Sequence, residues 1–298
     1  MTTAIKRFHV RKILVAYDFS ETAESALKYA VVLARRCTAE IHLLHVIESF
    51  SLTSAISHAF SKSQKEFEEK VGEKAEERLH ELARKTASEC FRPVHAVVEK
   101  GRIPKTVETV AGRIDADLVL AGAHGYSGVK EHLVGSHTSK IVMDSPCPVI
   151  VVRPSAGQPD IRNILLPIDH SPVSRQKVRY AVELARQFGS KVHVIGATTL
   201  TDSDLVRKFE LKVHQVGDFL DEHGVQNTVR VQKGESLSQI ALDHVRETGA
   251  DLVVIMSEQE GSGLFLGNAA LHIINHADIP VMAIHPDRGN PDTISVGY

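Results

Sequence analysis

One opening occurs twice in this chain. Lys12-Ile13-Leu14-Val15-Ala16-Tyr17-Asp18 is an apolar run ending on an acid, with Ser20 two residues beyond it. Asn163-Ile164-Leu165-Leu166-Pro167-Ile168-Asp169-His170-Ser171 repeats that opening 151 residues later, from Asp18 to Asp169. Asp117-Leu118-Val119-Leu120-Ala121 returns as Asp251-Leu252-Val253-Val254-Ile255 after 134 residues. Ser145-Pro146-Cys147-Pro148-Val149 returns as Asp278-Ile279-Pro280-Val281. The smaller offset places a shorter segment between the second and third strands of the second copy. Such a duplication restricts the chain to two copies of one supersecondary order, and 298 residues suffice for two domains. The domains run over 1–154 and 161–298, divided by the exposed-type linker Pro154-Ser155-Ala156-Gly157-Gln158-Pro159.

Within the first copy, strands alternate with helices. After the strand 12–18, Ser20 caps a helix from Glu21 to about Arg36, with Ala26, Ala30, Leu33 and Ala34 on one face. Ile41–Val46 is the second strand. The region 49–63 is polar and without period, and a longer helix follows with Phe67, Val71, Leu79 and Leu82 at helical spacing. Phe50, Leu52, Ile56 and Phe60 in the aperiodic region suit a lid, a partner contact or a loop folded on its own domain. Val94–Glu99 is the third strand, Ile103–Arg113 a helix that tolerates Pro104 in its first turn, and 117–121 the fourth strand. A helix from about Ser136 and the strand Val149–Val152 complete the unit. Continuous apolar strands alternating with helices predict α/β architecture: two tandem, doubly wound, parallel five-stranded sheets. In such sheets the ligand crevice lies beyond the carboxyl ends of the strands, where Asp18, Val46 and Gly122 converge.

Composition removes several function classes. With 43% hydrophobic and 24% charged residues the chain reads as globular. A formal charge of −2 with no basic block argues against nucleic-acid binding. Apolar runs are strand-sized, which argues against a membrane partner, and residues 1–12 lack a signal-type apolar core. Three cysteines without a Cys-x-x-Cys pair suit a reduced, cytoplasmic setting. The 17 histidines are scattered, His42 and His45 sit as strand positions do, and no His-Glu-x-x-His occurs. Ligand spacing therefore predicts no metal cluster.

The fourth strand runs into Gly122-Ala123-His124-Gly125, and Gly135-Ser136-His137-Thr138 follows at a helix start. Glycines permit close backbone approach. A helix N-terminus presents unpaired N–H groups and partial positive charge. The corner suits an anion, with hydroxyls at Ser136 and Thr138 and with His124 and Lys130 as potential countercharges. Read residue by residue, these glycines equally suit a tight turn, and Asp18 equally suits local capping near Ser20. No Gly-x-x-x-x-Gly-Lys-[Ser/Thr] is present, and no arginine finger or water-orienting residue is identifiable.

Val15-Ala16-Tyr17-Asp18-Phe19-Ser20, Leu44-His45-Val46 and Gly122-x2-Gly125-x9-Gly135-Ser136 resemble the universal stress proteins of the tandem type. The glycine spacing resembles the family's ATP-binding branch, and the likeness extends from about Val10 to His285. It implies a flavodoxin-like, adenine-nucleotide α-hydrolase-like fold that binds ATP or ADP, with Mg²⁺ as a companion ion. By that resemblance Asp18 sits by the nucleoside and the Val46 backbone faces adenine. Gly122, Gly125, Gly135 and Ser136 hold ribose and phosphates. The implied contact set is Ala16, Tyr17, Asp18, Val46, Gly122, His124, Gly125, Gly135, Ser136, His137 and Thr138. The resemblance also implies pairing through the last strands, Val149–Val152 and Val281–Ile284, within one chain, with a homodimer still open.

The second copy departs from the pattern. Met256 stands for Gly122, Gln259 for Gly125 and Ala197 for Val46, while Glu258 and Glu260 bring negative charge toward the phosphate position. It is expected not to bind ATP in the family's manner and to act as a structural or partner-binding half. Gly261-Ser262-Gly263 retains the makings of a small anion nest. The expected function is an adenine-nucleotide-binding stress regulator with one working site and an unidentified protein partner. The alternatives are a slow ATPase or nucleotidyl or phosphoryl transferase, and a nucleotide-independent interaction or small-ligand carrier protein.

Overall fold

The computed structural model describes residues 8–48, 61–124, 134–154, 156, 159–257 and 267–287, without the side chains of 61–69, 71 and 172. In the first half, β1 (Lys12–Ala16), α1 (Glu21–Cys37), β2 (Glu40–Glu48), α2 (Ser61–Cys90), β3 (Val94–Gly101), α3 (Ile103–Arg113), β4 (Leu118–Gly122), α4 (Ser136–Asp144) and β5 (Val149–Val152) follow in order. The second half repeats them as β6 (Asn163–Ile168), a 3-10 turn (Pro172–Lys177) with α5 (Val178–Phe188), β7 (Lys191–Thr198), α6 (Ser203–Glu222), β8 (Asn227–Lys233), α7 (Leu237–Thr248), β9 (Leu252–Met256), α8 (Asn268–His276) and β10 (Val281–Ile284).

All strands within a half are parallel. The halves meet through β5 and β10, which pair antiparallel with Val281 opposite Val151 and Ala283 opposite Val149. The result is one ten-stranded sheet in the order β3-β2-β1-β4-β5-β10-β9-β6-β7-β8. Alternate strand residues face opposite sides. Ile13, Val15, Leu118 and Leu120 enter the core under α1 and α2, which runs on to Ile164, Leu166, Val192 and Val194 of the second half. Leu14, Leu44, Val119 and Val151 enter the opposite core with α3 and α4, continuous with Leu165, Val253 and Ala283. Each core spans both copies, so burial of apolar surface couples the halves.

The repeated acid before the fourth strand has a structural task. Asp117 accepts the N–H groups of Arg11 and Lys12 (2.8 and 3.0 Å), which lead into β1. Asp251 does the same for Arg162 and Asn163 (2.9 and 2.8 Å). Among the described residues no helix is long and apolar enough to cross a membrane.

Candidate functional site

The crevice of the first half begins where β1 ends. Ser20 N–H donates to Asp18 Oδ1 (3.1 Å), and the Ser20 hydroxyl donates to the same oxygen. Ser20 Oγ in turn accepts the Ala23 N–H (3.2 Å) and caps α1. Asp18 thus braces the cap while lying half-buried at the strand end. Between them Phe19 adopts φ +63°, a left-handed conformation unfavourable for a bulky residue. Its ring is held by the edge of Tyr17 (5.2 Å), by His45 (4.9 Å) and by the Arg78 guanidinium above it (4.4 Å). Tyr17 itself is buried, and burial raises its phenol above the usual range.

The ladder between β1 and β2 ends early. Tyr17 N–H donates to the Leu44 carbonyl (2.8 Å), and the Tyr17 carbonyl accepts from His45 Nδ1 (2.9 Å). Val46 lies two residues beyond Leu44, past the end of β1, and Ala16 is the last β1 residue before this opening. Its half-buried side chain rests on the α3–α4 core, so any ligand contact belongs to its backbone.

The two described glycines of the corner have different causes. A Cβ on Gly122 would lie 2.6 Å from Thr22 Oγ1 and 2.7 Å from Thr22 Cβ, so the first turn of α1 leaves room only for glycine. The Thr22 hydroxyl donates to the His124 carbonyl, and the Thr138 hydroxyl donates to the Gly122 carbonyl (2.8 Å). Thr138 is buried, and its hydroxyl hydrogen serves as a strut for the corner. Gly135 is under no such constraint. A Cβ there would meet nothing nearer than the Ala123 carbonyl at 3.6 Å, and its φ of −61° suits any residue.

Gly135 is the N-cap of α4 and provides no side-chain cap. The N–H groups of the first turn, from Ser136 to Thr138, therefore open a positive dipole end toward the crevice. Ser136 and His137 are exposed there. His137 Nε2 lies 3.7 Å from Glu48 at the end of β2, across the mouth of the crevice. From the other half, Asn275 Oδ1 accepts the Val134 N–H (2.7 Å), one residue before Gly135. Gly125 and Lys130, and in the second half Glu258, Gln259, Glu260 and Gly261-Ser262-Gly263, lie outside the described residues, as does the 49–60 segment.

The matching corner of the second half keeps the scaffold. Gly267 N–H donates to Ser257 (3.0 Å) as Gly135 N–H does to Ala123 (2.9 Å). Asp169 accepts the Ser171 N–H (2.9 Å), as Asp18 accepts that of Ser20. Met256, however, fills the Gly122 position with a buried side chain. The segment matching the start of α1 winds here as the 3-10 turn 172–177, not as regular α-helix. Beside it an open pocket is lined by Asp169, Lys177, Ala197, Met256, Ala269 and Ala270, among others. Lys177 is fully enclosed and donates to the Ser174 carbonyl and hydroxyl (2.7 and 2.9 Å). Burial pushes its ammonium down to about 8, with Asp169 acting in the opposite direction.

Sequence reasoning missed Thr22, Asn275 and Lys177. Thr22 matters only through the approach of α1 to β4, and Asn275 only through the β5–β10 junction. The signal for Lys177 was a lysine on an otherwise apolar helix face.

The family model described as Universal stress protein family matches residues 9–153 and 160–285. A universal stress protein of Methanocaldococcus jannaschii is 32% identical over 155 residues, 48% of this chain and 94% of its own length. A putative universal stress protein of Staphylococcus aureus is 32% identical over 157 residues, 51% of this chain and 91% of its own length. Among solved structures, a universal stress protein from Archaeoglobus fulgidus superposes with a TM-score of 0.73 at 20% identity, covering 95% of this chain and 99% of its own. At that identity the superposition speaks for the fold.

Proposed function

The chain belongs to the universal stress protein family, and from that premise we propose an adenine-nucleotide-binding regulatory protein with one working site, in its first half. The observation that carries this reading is the bare first turn of α4 behind Gly135, set in a corner where Gly122 has no side chain and the second half has the buried Met256. Neither backbone angle nor space demands glycine at position 135, whereas a phosphate approaching the N–H groups does. ATP or ADP would set its phosphates on the N–H groups of Ser136, His137 and Thr138, with the Ser136 hydroxyl beside them. The Val46 backbone would face the base, and Asp18 would face the nucleoside. Bound phosphates would supply the negative charge needed to recruit Mg²⁺ alongside Asp18.

The second half acts as a brace. Through Asn275 it holds the backbone one residue before the phosphate corner. Through Arg153, whose guanidinium donates to the Ile274 carbonyl (3.1 Å), the end of the first half caps the C-terminal turn of α8. Nucleotide binding at Gly135 would therefore be felt across the β5–β10 junction.

The test is to purify the full chain, denature it and identify any released nucleotide, alongside ATP titration of nucleotide-free protein. Release of adenine nucleotide, or a thermal shift with ATP, is the expected result. Absence of both contradicts the proposal. Incubation with Mg²⁺ and product analysis then separates a sensor from an enzyme: rapid release of excess ADP contradicts the regulatory reading.

A further inference from the structure

The opposite end of the first half carries a second constellation. Glu40 and His42 are two apart on β2 and project to the same face of the sheet. In the β2–β3 register His42 pairs directly with His95, which brings that side chain onto the same face. His42 Nε2 lies 3.0 Å from Glu40 Oε1, and His95 Nε2 lies 3.8 Å from Glu40 Oε2. The two imidazoles stack with centroids 4.7 Å apart and planes at 28°. All three ligand atoms fall within 4.8 Å of one another.

We propose that Glu40, His42 and His95 form a binding site for a zinc-type divalent transition ion, clipping edge strand β3 to β2. The donor set is two imidazoles and one carboxylate, a combination suited to zinc-type ions and unlike the all-oxygen sets of magnesium or calcium. Tetrahedral bonds of about 2.1 Å place ligand atoms about 3.4 Å apart. The His42 distance to one Glu40 oxygen, 3.0 Å, and the His95 distance to the other, 3.8 Å, lie close to that spacing. Lys12, the register partner of Glu40, directs its ammonium to the Ile114 carbonyl (3.0 Å). The exposed His95 leaves the trio open to solvent, from which water would complete the coordination.

The second half supplies an internal control. His193 occupies the position of His42 but has neutral partners, Thr228 (2.8 Å) and Asn163 (3.1 Å). Thr228 stands in the register place of His95, and Lys191 stands where Glu40 does. One half thus provides a carboxylate and a second imidazole, while the other satisfies the same histidine by hydrogen bonds alone. Ligand spacing along the sequence does not reach this trio, because His42 and His95 are adjacent across strands and distant in sequence.

The test is titration of the metal-free full chain with Zn²⁺ by calorimetry, with Co²⁺ absorption as a second readout. The expected result is one site per chain that weakens at least tenfold in His95→Ala and in Glu40→Gln. The His193→Ala and His276→Ala variants should leave that affinity unchanged. Circular dichroism checks that each variant is folded, and His95→Ala, at an exposed position, is the variant least able to disturb the fold. Zn²⁺ should raise the melting temperature of wild type and leave that of His95→Ala unmoved. Absence of a saturable site overturns the proposal. So does a site lost in His276→Ala, which would assign binding to the stacked His272–His276 pair on α8.

Discussion

The β4–α4 and β9–α8 corners share a scaffold and differ at the residue that closes it. Both helices start at an uncapped glycine, and both glycines donate back to the strand end. At position 122 there is no side chain, and α1 begins as regular helix against the strand with Thr22 in contact. At position 256 a methionine is buried, and the corresponding segment winds as a 3-10 turn that encloses Lys177. A single side chain at the end of a strand therefore accompanies a change in how the next layer begins. The bare helix N-terminus alone does not distinguish the halves. What distinguishes them is how the surrounding corner is built.

Exchanging the two residues tests this. Met256→Gly removes a buried side chain, and the cavity should cost about 2–5 kcal/mol in urea unfolding. Gly122→Met forces a side chain into Thr22 and should cost about 1–3 kcal/mol, displacing α1 and abolishing nucleotide binding. Neither exchange should create binding in the second half. A neutral Gly122→Met would show that the close approach to Thr22 is not a constraint.

Lys177 gives the next effect, and pH sets its sign. Its folded pKa of about 8 lies below the ordinary value of 10.5. The unfolded chain therefore holds more protons between those values, and the Lys177 contribution to stability rises with pH across that window. Below about 8 the penalty of burying the charged form is fully present. Unfolding curves of wild type and Lys177→Met should differ by a slope of at most about 1.4 kcal/mol per pH unit, with wild type gaining stability as pH rises. A parallel pair of curves contradicts the assignment.

Smaller still is the Thr138 strut. Thr138→Val removes the bond to the Gly122 carbonyl and should cost about 1 kcal/mol. The second half has alanine at the matching position, and Ala270→Thr should recover less than that, because the 256 corner is built differently. Equal and opposite effects would mean the corners are interchangeable.

Much of the fold was legible because it rests on local pattern. Apolar strands, the Ser20 cap and the duplicated openings all follow from near neighbours in sequence. The repeated acids at 117 and 251 were legible as a pattern but not as a task, because their partners lie at the starts of β1 and β6, about a hundred residues away in sequence. Of the site, the strand ends and the glycine corner could be placed from topology. The different reasons for Gly122 and Gly135 could not, since one depends on Thr22 approaching from another layer. The register of His42 with His95 was hidden for the same reason: strand pairing joins residues that spacing rules keep apart.

The most direct measurement is ATP-binding stoichiometry on the full chain, made with paired variants at the two uncapped helices. Gly135→Asp supplies α4 with a side-chain cap, which should change stability by only a few tenths of a kcal/mol. It also sets a carboxylate where the phosphates would lie. Wild type should bind one ATP per chain, Gly135→Asp should bind at least tenfold more weakly, and Gly267→Asp should match wild type. Two sites per chain, or binding lost in Gly267→Asp and kept in Gly135→Asp, would contradict a single working site in the first half.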